Sequence, residues 1–436
     1  MNPDSTSLNS HLTTLADWLA HLESAHPTVI EMGLERVNSV KQRMGISFDC
    51  PLIIVGGTNG KGSTCAMLEA ILMQGGYKVG LYTSPHLIDF NERARINGVS
   101  VQDADFVAAF EQVQHAKQEI SLSYFEFTML ACTRIFADAK CDVVILEVGL
   151  GGRLDAVNIF DADVAIVTSV DIDHVAYLGN TREAIGFEKA GIYRHAKTAI
   201  CSDPAPPQTL IDHAQSIGAD LWLFGRDFNY AGDKQQWSYA GREQRRHSLA
   251  YPSLRGANQL LNASAALAAL EALRHRLPLG AQEIRSGLVM VDLPGRFQVL
   301  PGRPAVVLDV AHNPHAAATL HQNLDNMGFH AYTYAVFGAM QDKDILGVIN
   351  QLKKQIDHWY LTDLPGPRGA SAQQIQALLE AAGISNDGEH TVLCFDNPAT
   401  AYTNALRNAG ENDRIAVFGS FLTVAAVITE RNAGRT

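Results

Sequence analysis

Residues 56–64 read Gly-Gly-Thr-Asn-Gly-Lys-Gly-Ser-Thr, between an apolar run ending at Val55 and a segment of helical composition from about Ser63 to Met73. Glycines let successive backbone N–H groups converge on phosphate oxygens, the N-terminus of the following helix adds its positive dipole, and Lys61 brings a mobile charge to the outer phosphates. The expected chemistry is binding of a nucleoside triphosphate by Gly57, Thr58, Asn59, Gly60, Lys61, Gly62 and Ser63, with Lys61 also acting on the reacting phosphoryl group. The match to the Walker pattern is incomplete, because Val55 stands where its first glycine would be and Gly62 separates Lys61 from Ser63. Ser63 is therefore not given the metal-reaching role of the Walker hydroxyl. A ligand-free glycine-rich turn is the plainer alternative, and the strand before and helix after the loop speak against it.

Acidic and histidine positions follow at other predicted strand ends. Glu147 closes the apolar run 143–146 and precedes Gly149-Leu150-Gly151-Gly152-Arg153-Leu154-Asp155. An open α/β sheet presents its ligand groups at the carboxyl ends of its strands, and a hard carboxylate oxygen there suits nucleotide-bound Mg²⁺. Asp173-His174 follows the next strand in the same way, and His174 offers a neutral ring nitrogen; by itself such a histidine reads as a structural hydrogen-bonding residue. Thr83-Ser84-Pro85-His86-Leu87 with Asn91-Glu92-Arg93, taken alone, reads as a surface turn, and Glu188-Lys189-Ala190-Gly191-Ile192 as an exposed helix end.

The elements that must carry these residues alternate. Leu12, Leu15, Leu19 and Leu22 recur at helical spacing, predicting a helix over 10–24 that stops before Pro27. Apolar, β-branched runs at 52–55, 79–82, 143–148, 164–169 and 198–201 read as strands, several of them buried on both faces as in a parallel sheet. The alternation restarts after Arg296, with strands at 306–309, 333–337, 359–362, 392–395 and 415–418. The expected fold is α/β in two domains, an N-terminal P-loop NTPase-like parallel sheet over 1–298 and a C-terminal Rossmann-like domain over 299–436. The hinge falls in 293–298, where Pro294 and Gly295 punctuate the chain.

Bulk composition narrows the function. The 436 residues exceed the size at which one core stops growing, and 34 Lys plus Arg against 46 Asp plus Glu leave a formal charge of −12. Without a basic arm or stripe, nucleic acid and anionic membranes are poor partners. The six cysteines are scattered, without zinc spacing, and read as reduced thiols of a cytoplasmic protein. The N-terminus has no signal-peptide pattern and no apolar run spans a bilayer, so a soluble, unprocessed chain is expected.

Gly-Thr-Asn-Gly-Lys followed by Gly-Ser resembles the phosphate loop of the Mur ligase superfamily, and the Gly-Ser ending its folylpolyglutamate synthase branch. Further segments occur in that family's order: 83–86, 147–158, 171–174, 188–191, 293–298, Asp-Val-Ala-His-Asn-Pro at 309–314, Phe-Gly-Ala-Met-Gln-Asp-Lys-Asp at 337–344, and Phe-Gly-Ser-Phe at 418–421. The resemblance implies that Ser84, Glu147 and His174 ligate Mg²⁺ and that Lys189 is carbamylated and helps hold a second ion, with His174 and Lys189 thereby joining Lys61 in catalysis; a monovalent cation such as K⁺ is a further expectation. A lysine whose pKa is lowered by burial can capture CO₂ in this way. It implies ATP contacts by Asn258, Arg296, Asp309 and His312, with the nucleotide between the domains and the domains closing on it; many relatives have His where this chain has Asn258.

Glu31-Met32-Gly33-Leu34-Glu35-Arg36-Val37 and Ser123-Tyr124-Phe125-Glu126-Phe127 resemble the pterin-contacting segments of the bifunctional bacterial members. The implied substrate residues are Ile30, Glu31, Met32, Ser123, Tyr124, Phe125, Glu126, Leu154, Asp155 and Ala156. Phe125 offers a flat face and Asp155 an acceptor for pterin N–H groups, although an isolated Phe125 would read as a core aromatic. The implied activity is ATP-dependent addition of L-glutamate to dihydropteroate and to reduced folates by a monomeric enzyme. Without the dihydropteroate segment it would be a folylpolyglutamate synthase alone. A peptidoglycan-precursor ligase would need a UDP-binding domain for which about fifty residues before the loop are too few. A P-loop switch would not need the second α/β domain.

Overall fold

The computed structural model describes residues 12–26, 31–233, 235–386 and 390–433. The chain divides into two compact units, the first made of 1–170, 181–251 and 261–290, the second of 171–180, 252–260 and 291–436.

The first unit is built on an eight-stranded sheet of β1 (Leu52–Gly56), β2 (Val79–Tyr82), β3 (Ala94–Ile96), β4 (Val99–Ser100), β5 (Val143–Glu147), β6 (Val164–Val167), β7 (Thr198–Cys201) and β8 (Asp220–Leu223). Their spatial order is β4-β3-β2-β5-β1-β6-β7-β8. All five strands read from the sequence are present and pair in parallel. The antiparallel edge of β3 and β4 was not predicted, nor was β8. The edge strands are short and partly polar, so they lack the continuous apolar signal of strands covered on both faces. A separate three-stranded antiparallel sheet of β9 (Asn229–Gly232), β10 (Trp237–Ala240) and β11 (Arg245–Leu249) completes the strands of this unit.

β1 is buried at every position and leads straight into the helix Lys61–Gln74. That helix starts two residues before the predicted start, placing Gly62 and Ser63 in its first turn. The helix Ala281–Met290 packs hard against it: a Cβ on Gly287 would sit 2.5 Å from the Ile71 Cα, so only glycine permits this approach. The amphipathic helix near the N-terminus runs Leu15–Ser24 and buries Leu15, Trp18 and Leu22. Thr14 caps it, its hydroxyl accepting from the Asp17 N–H, which explains a start later than the leucine spacing suggests.

The second unit carries a six-stranded sheet of β12 (Gln298–Leu300), β13 (Ala305–Leu308), β14 (Thr333–Phe337), β15 (His358–Thr362), β16 (Thr391–Phe395) and β17 (Arg414–Phe418), in the order β12-β13-β17-β14-β15-β16. Only β12 runs antiparallel to its neighbour. Phe337 and Phe418, stacked with centroids 4.9 Å apart, and Trp359 sit in its core. The segment read as a hinge is fastened within this unit: the Val310 N–H donates to the Gly295 carbonyl at 2.9 Å and the Phe297 N–H to Asp309 at 3.0 Å.

Candidate active site

In the first unit the phosphate loop is braced on two sides. The Thr58 N–H donates to the Ser169 carbonyl (2.8 Å), the Asn59 N–H to the Ser169 hydroxyl (3.0 Å), and the Thr168 hydroxyl to the Asn59 carbonyl (2.6 Å). Gly57 and Gly60 have φ of 144° and 90°; a Cβ on the first would overlap the Thr168 hydroxyl, and on the second would lie 2.5 Å from the Asn262 side-chain oxygen. Both glycines are therefore required by conformation and by space. Lys61 folds back over the loop, donating to the carbonyls of Gly57 (3.0 Å) and Thr58 (3.3 Å). The side chain is half-buried.

Register then brings the metal-type oxygens beside the loop. Val55 pairs with Glu147 across β1 and β5, and β2 lies on the far side of β5. Ser84, two residues past β2, donates its N–H to the Glu147 carboxylate at 3.1 Å. Lys189 is buried near the end of the helix Arg182–Ala190. The glycine-rich stretch after Glu147 is laid against that end: the Arg153 N–H donates to the Glu188 carbonyl (2.8 Å), and the Arg153 guanidinium pairs with the Glu188 carboxylate (2.8 Å).

Three of the segments read as pterin-contacting also meet within this unit. The Gly33 N–H reaches the Leu154 carbonyl at 3.4 Å, Arg36 donates to Glu126 at 3.1 Å, and the Phe125 ring lies against Gly149, where a Cβ would meet it at 2.5 Å. Ser123 and Glu126 form the capping box of the helix Tyr124–Asp138, and the Glu31 carboxylate bonds to Arg36 and to His26 (2.5 Å), so these side chains have structural work of their own. Asp155 is buried, accepting from the Leu150 N–H (2.8 Å) and the Val157 N–H (3.0 Å). Burial pushes its carboxyl up to about 6 even against those bonds. Met32, Tyr124, Phe125 and Leu154 remain half-buried, whereas Ala156 is buried. Ile30 lies outside the described residues.

His174, Asn258, Arg296, Asp309 and His312 belong to the second unit. Asp309, just past β13, accepts from the Phe297 and Ala311 N–H groups, and burial pushes it up to about 6. The Arg296 guanidinium lies 5.0 Å from the Phe421 ring centroid, and Asn258 donates to the Thr319 hydroxyl at 3.2 Å. Near His312 is a cluster that the sequence reading did not single out. Asp173 accepts from Lys343 (2.7 Å) and Asn313 (3.0 Å), with the His312 Nε2 at 3.7 Å. His312 Nδ1 donates to the Val310 carbonyl (2.9 Å), which fixes its tautomer when neutral. Lys343 also stands 3.3 Å from the His174 Nε2. Burial alone would raise the Asp173 carboxyl, but His312, His174 and Lys343 outweigh it and hold it far below the carboxylate range.

The bracing residues Thr168, Ser169 and Asn262, and the partners Asn313 and Lys343, carried no assigned role in the sequence reading. Lys343 and Asn313 lie inside motif segments and were findable there; Asn262 sits in an alanine-rich helix and left no signal. Among the described residues no group of three or more His, Cys, Asp or Glu has metal-holding geometry, and no helix is long and apolar enough to cross a membrane.

The Mur ligase middle domain model matches residues 55–270, and that of the Mur ligase glutamate ligase domain residues 295–421. The dihydrofolate synthase/folylpolyglutamate synthase of Escherichia coli K12 is 44% identical over 423 residues, 97% of this chain and 96% of that protein. The structure of E. coli FolC in complex with DHPP and ADP superposes with a TM-score of 0.92 at 43% identity, covering 98% and 99% of the two chains. A bifunctional folylpolyglutamate synthase/dihydrofolate synthase with Mn, AMPPNP and L-glutamate bound gives a TM-score of 0.89 at 42% identity, over 97% and 98%. With both Mur ligase domains matched in order and this identity sustained across almost its whole length, the chain belongs to the dihydrofolate synthase/folylpolyglutamate synthase family of Mur ligases.

Proposed function

We propose that this chain is an ATP-dependent ligase that joins L-glutamate to dihydropteroate, forming dihydrofolate, and to the γ-carboxylate of reduced folates, forming folylpolyglutamates. The observation that carries the reading is the grouping in one unit of a braced phosphate loop, the oxygens of Ser84 and Glu147, and the segments around Gly33, Phe125 and Asp155. ATP and a divalent metal are its cofactors.

The acyl carboxylate takes the γ-phosphoryl group of ATP, releasing ADP, and the glutamate amine then attacks the acyl phosphate, losing a proton and displacing phosphate to form the amide, so no side-chain nucleophile is needed. Loop amides and Lys61 hold the triphosphate and meet charge on the transferring phosphoryl group, a strategy of positioning and electrostatics. Ser84 and Glu147 are hard oxygen donors held together and suit Mg²⁺, which supplies further charge neutralisation when bound. His174 is assigned to Mg²⁺ as well; within its own unit its Nε2 stands 3.3 Å from the Lys343 Nζ. We assign a second Mg²⁺ to buried Lys189 as its carbamate, and a monovalent cation as an accessory ion. Asn258, Arg296, Asp309 and His312 are assigned to ATP, and Ile30 through Met32, Ser123 through Glu126 and Leu154 through Ala156 to the pterin, with Ser123 and Glu126 acting through the cap they form. A cytoplasmic monomer acting on small molecules is the corresponding cellular form.

The test is ADP release from ATP, Mg²⁺ and L-glutamate with dihydropteroate or tetrahydrofolate added separately, products being identified by mass. Glutamate-dependent turnover with both supports the dual activity. Turnover with tetrahydrofolate alone makes the chain a polyglutamylase, and turnover with neither refutes the substrate assignment.

A further inference from the structure

The short helix Phe90–Arg93 carries a cation that the mechanism above does not use. Arg93 is 8% exposed. Its Nε donates to His86 Nδ1 at 2.9 Å, and the guanidinium lies 5.6 Å from the ring centroids of both Phe90 and Tyr124. It makes no ion pair among the described residues, and whereas Arg414, the other buried arginine, donates from all three of its guanidinium nitrogens to Thr333, the Leu324 carbonyl and Gln355, Arg93 has only the bond to His86. A buried guanidinium without a counter-ion is costly.

A second unsatisfied group belongs to the same neighbourhood. Tyr82, at the end of β2, is fully buried, and its hydroxyl has no hydrogen-bond partner among the described residues. As a hydroxyl it can donate a hydrogen bond that no described group accepts. Its ring packs edge-on to Phe125, with centroids 6.1 Å apart. The Arg93 carbonyl accepts from the Thr83 N–H at 3.0 Å, next to Ser84 and hence to Glu147. A cation without a counter-ion and a donor without an acceptor thus adjoin both the aromatic assigned to the pterin and the segment that carries Ser84.

We propose that Arg93, with the Tyr82 hydroxyl, forms a subsite for a carboxylate of the acyl substrate, holding it by charge and hydrogen bonding while Phe125 takes the heterocycle. The inference rests on the ligase reading above. The subsite adds binding and alignment only.

The test compares binding of pteroate and of its neutral primary carboxamide by fluorescence titration to wild type, Arg93→Gln, Arg93→Lys and Tyr82→Phe. Charged hydrogen bonds of this kind correspond to roughly 10- to 100-fold in affinity. Arg93→Gln is therefore expected to lose about that factor for pteroate and little for the carboxamide, and Tyr82→Phe to lose part of it. A purely structural arginine would weaken both ligands alike, and that result overturns the proposal, as does unchanged pteroate binding. A raised KM for L-glutamate with pteroate binding intact overturns it too. If Arg93→Gln does not fold, Arg93→Lys and Tyr82→Phe decide: acid preference kept by lysine and reduced by phenylalanine supports the subsite, and any other pattern rejects it. Steady-state KM values for dihydropteroate and tetrahydrofolate, measured in parallel, show which substrate's carboxylate is held. Glutamate-dependent turnover by wild type tests the ligase reading separately, so either can fail without the other.

Discussion

Replacing Lys343 by methionine should loosen residues 171–180 from the second unit. Lys343 and Asp173 have side chains only 9% and 10% exposed, so the pair is not a solvent-screened surface bridge. Asp173 accepts from Lys343 at 2.7 Å, from Asn313 at 3.0 Å and from its neighbour's N–H at 2.8 Å. Methionine fills similar volume but removes the charged donor, leaving a buried carboxylate faced by His312 and His174 at 3.7 and 4.0 Å. Breaking a buried pair from one side costs roughly 3–5 kcal/mol. Taking the low end of that range, we expect about 3 kcal/mol, or on the order of 100-fold in the local opening equilibrium. Hydrogen exchange resolved by peptide would read this as faster exchange in 171–180, with β14 and β17 little changed. Asp173→Asn in the same chain removes the stranded charge and should restore part of the protection. Equal protection in wild type and Lys343→Met, or a double variant worse than the sum of the singles, would refute the assignment of Lys343 as the tie for this segment.

Other perturbations follow from the same geometry. Lys61→Ala should lower turnover by at least about 10²–10³-fold, on the scale of losing one preorganised donor, with circular dichroism and melting unchanged; full activity would remove the phosphate-loop assignment. Gly57→Ala puts a Cβ into the Thr168 hydroxyl at a φ of 144°, and strain of about 1–3 kcal/mol should weaken binding of a fluorescent ATP analogue by roughly 5- to 100-fold. Asp155 has its carboxyl pushed up to about 6 by burial. Its folded pKa lies above the unfolded value of about 3.9, so its contribution to stability is present below about pH 4 and lost as pH rises through 6. A pterin N–H prefers the ionised acceptor, so dihydropteroate binding should tighten from pH 5 to 7 in wild type and stay flat in Asp155→Asn. Parallel titration profiles would show that another group governs the pH dependence.

The sequence by itself determined every parallel strand of the two sheets except β8, because a strand covered on both faces must be apolar at nearly every position, and β1 and β5 are. It also picked out the glycine-rich loop 56–64, since few residues besides glycine tolerate positive φ, and the strand-end positions of Glu147 and Asp173-His174. Periodicity did not reveal β3, β4, β12 or the three-stranded sheet, most of whose residues are partly exposed and carry a weaker pattern, nor β8, whose buried run of three residues is short. Only the tertiary structure decided which groups touch. Lys343 meets Asp173 across 170 positions and Thr168 braces the Asn59 carbonyl across 109. The membership of 171–180 and 252–260 in the second unit likewise depends on packing. Arg93 looked like part of a surface turn until the fold buried it between Phe90 and Tyr124. A composition or a spacing records what a residue can do. Whether its charge is paired depends on neighbours that chain folding alone brings within a few ångströms, because both the cost of burying a charge and the worth of a hydrogen bond are set over that short range.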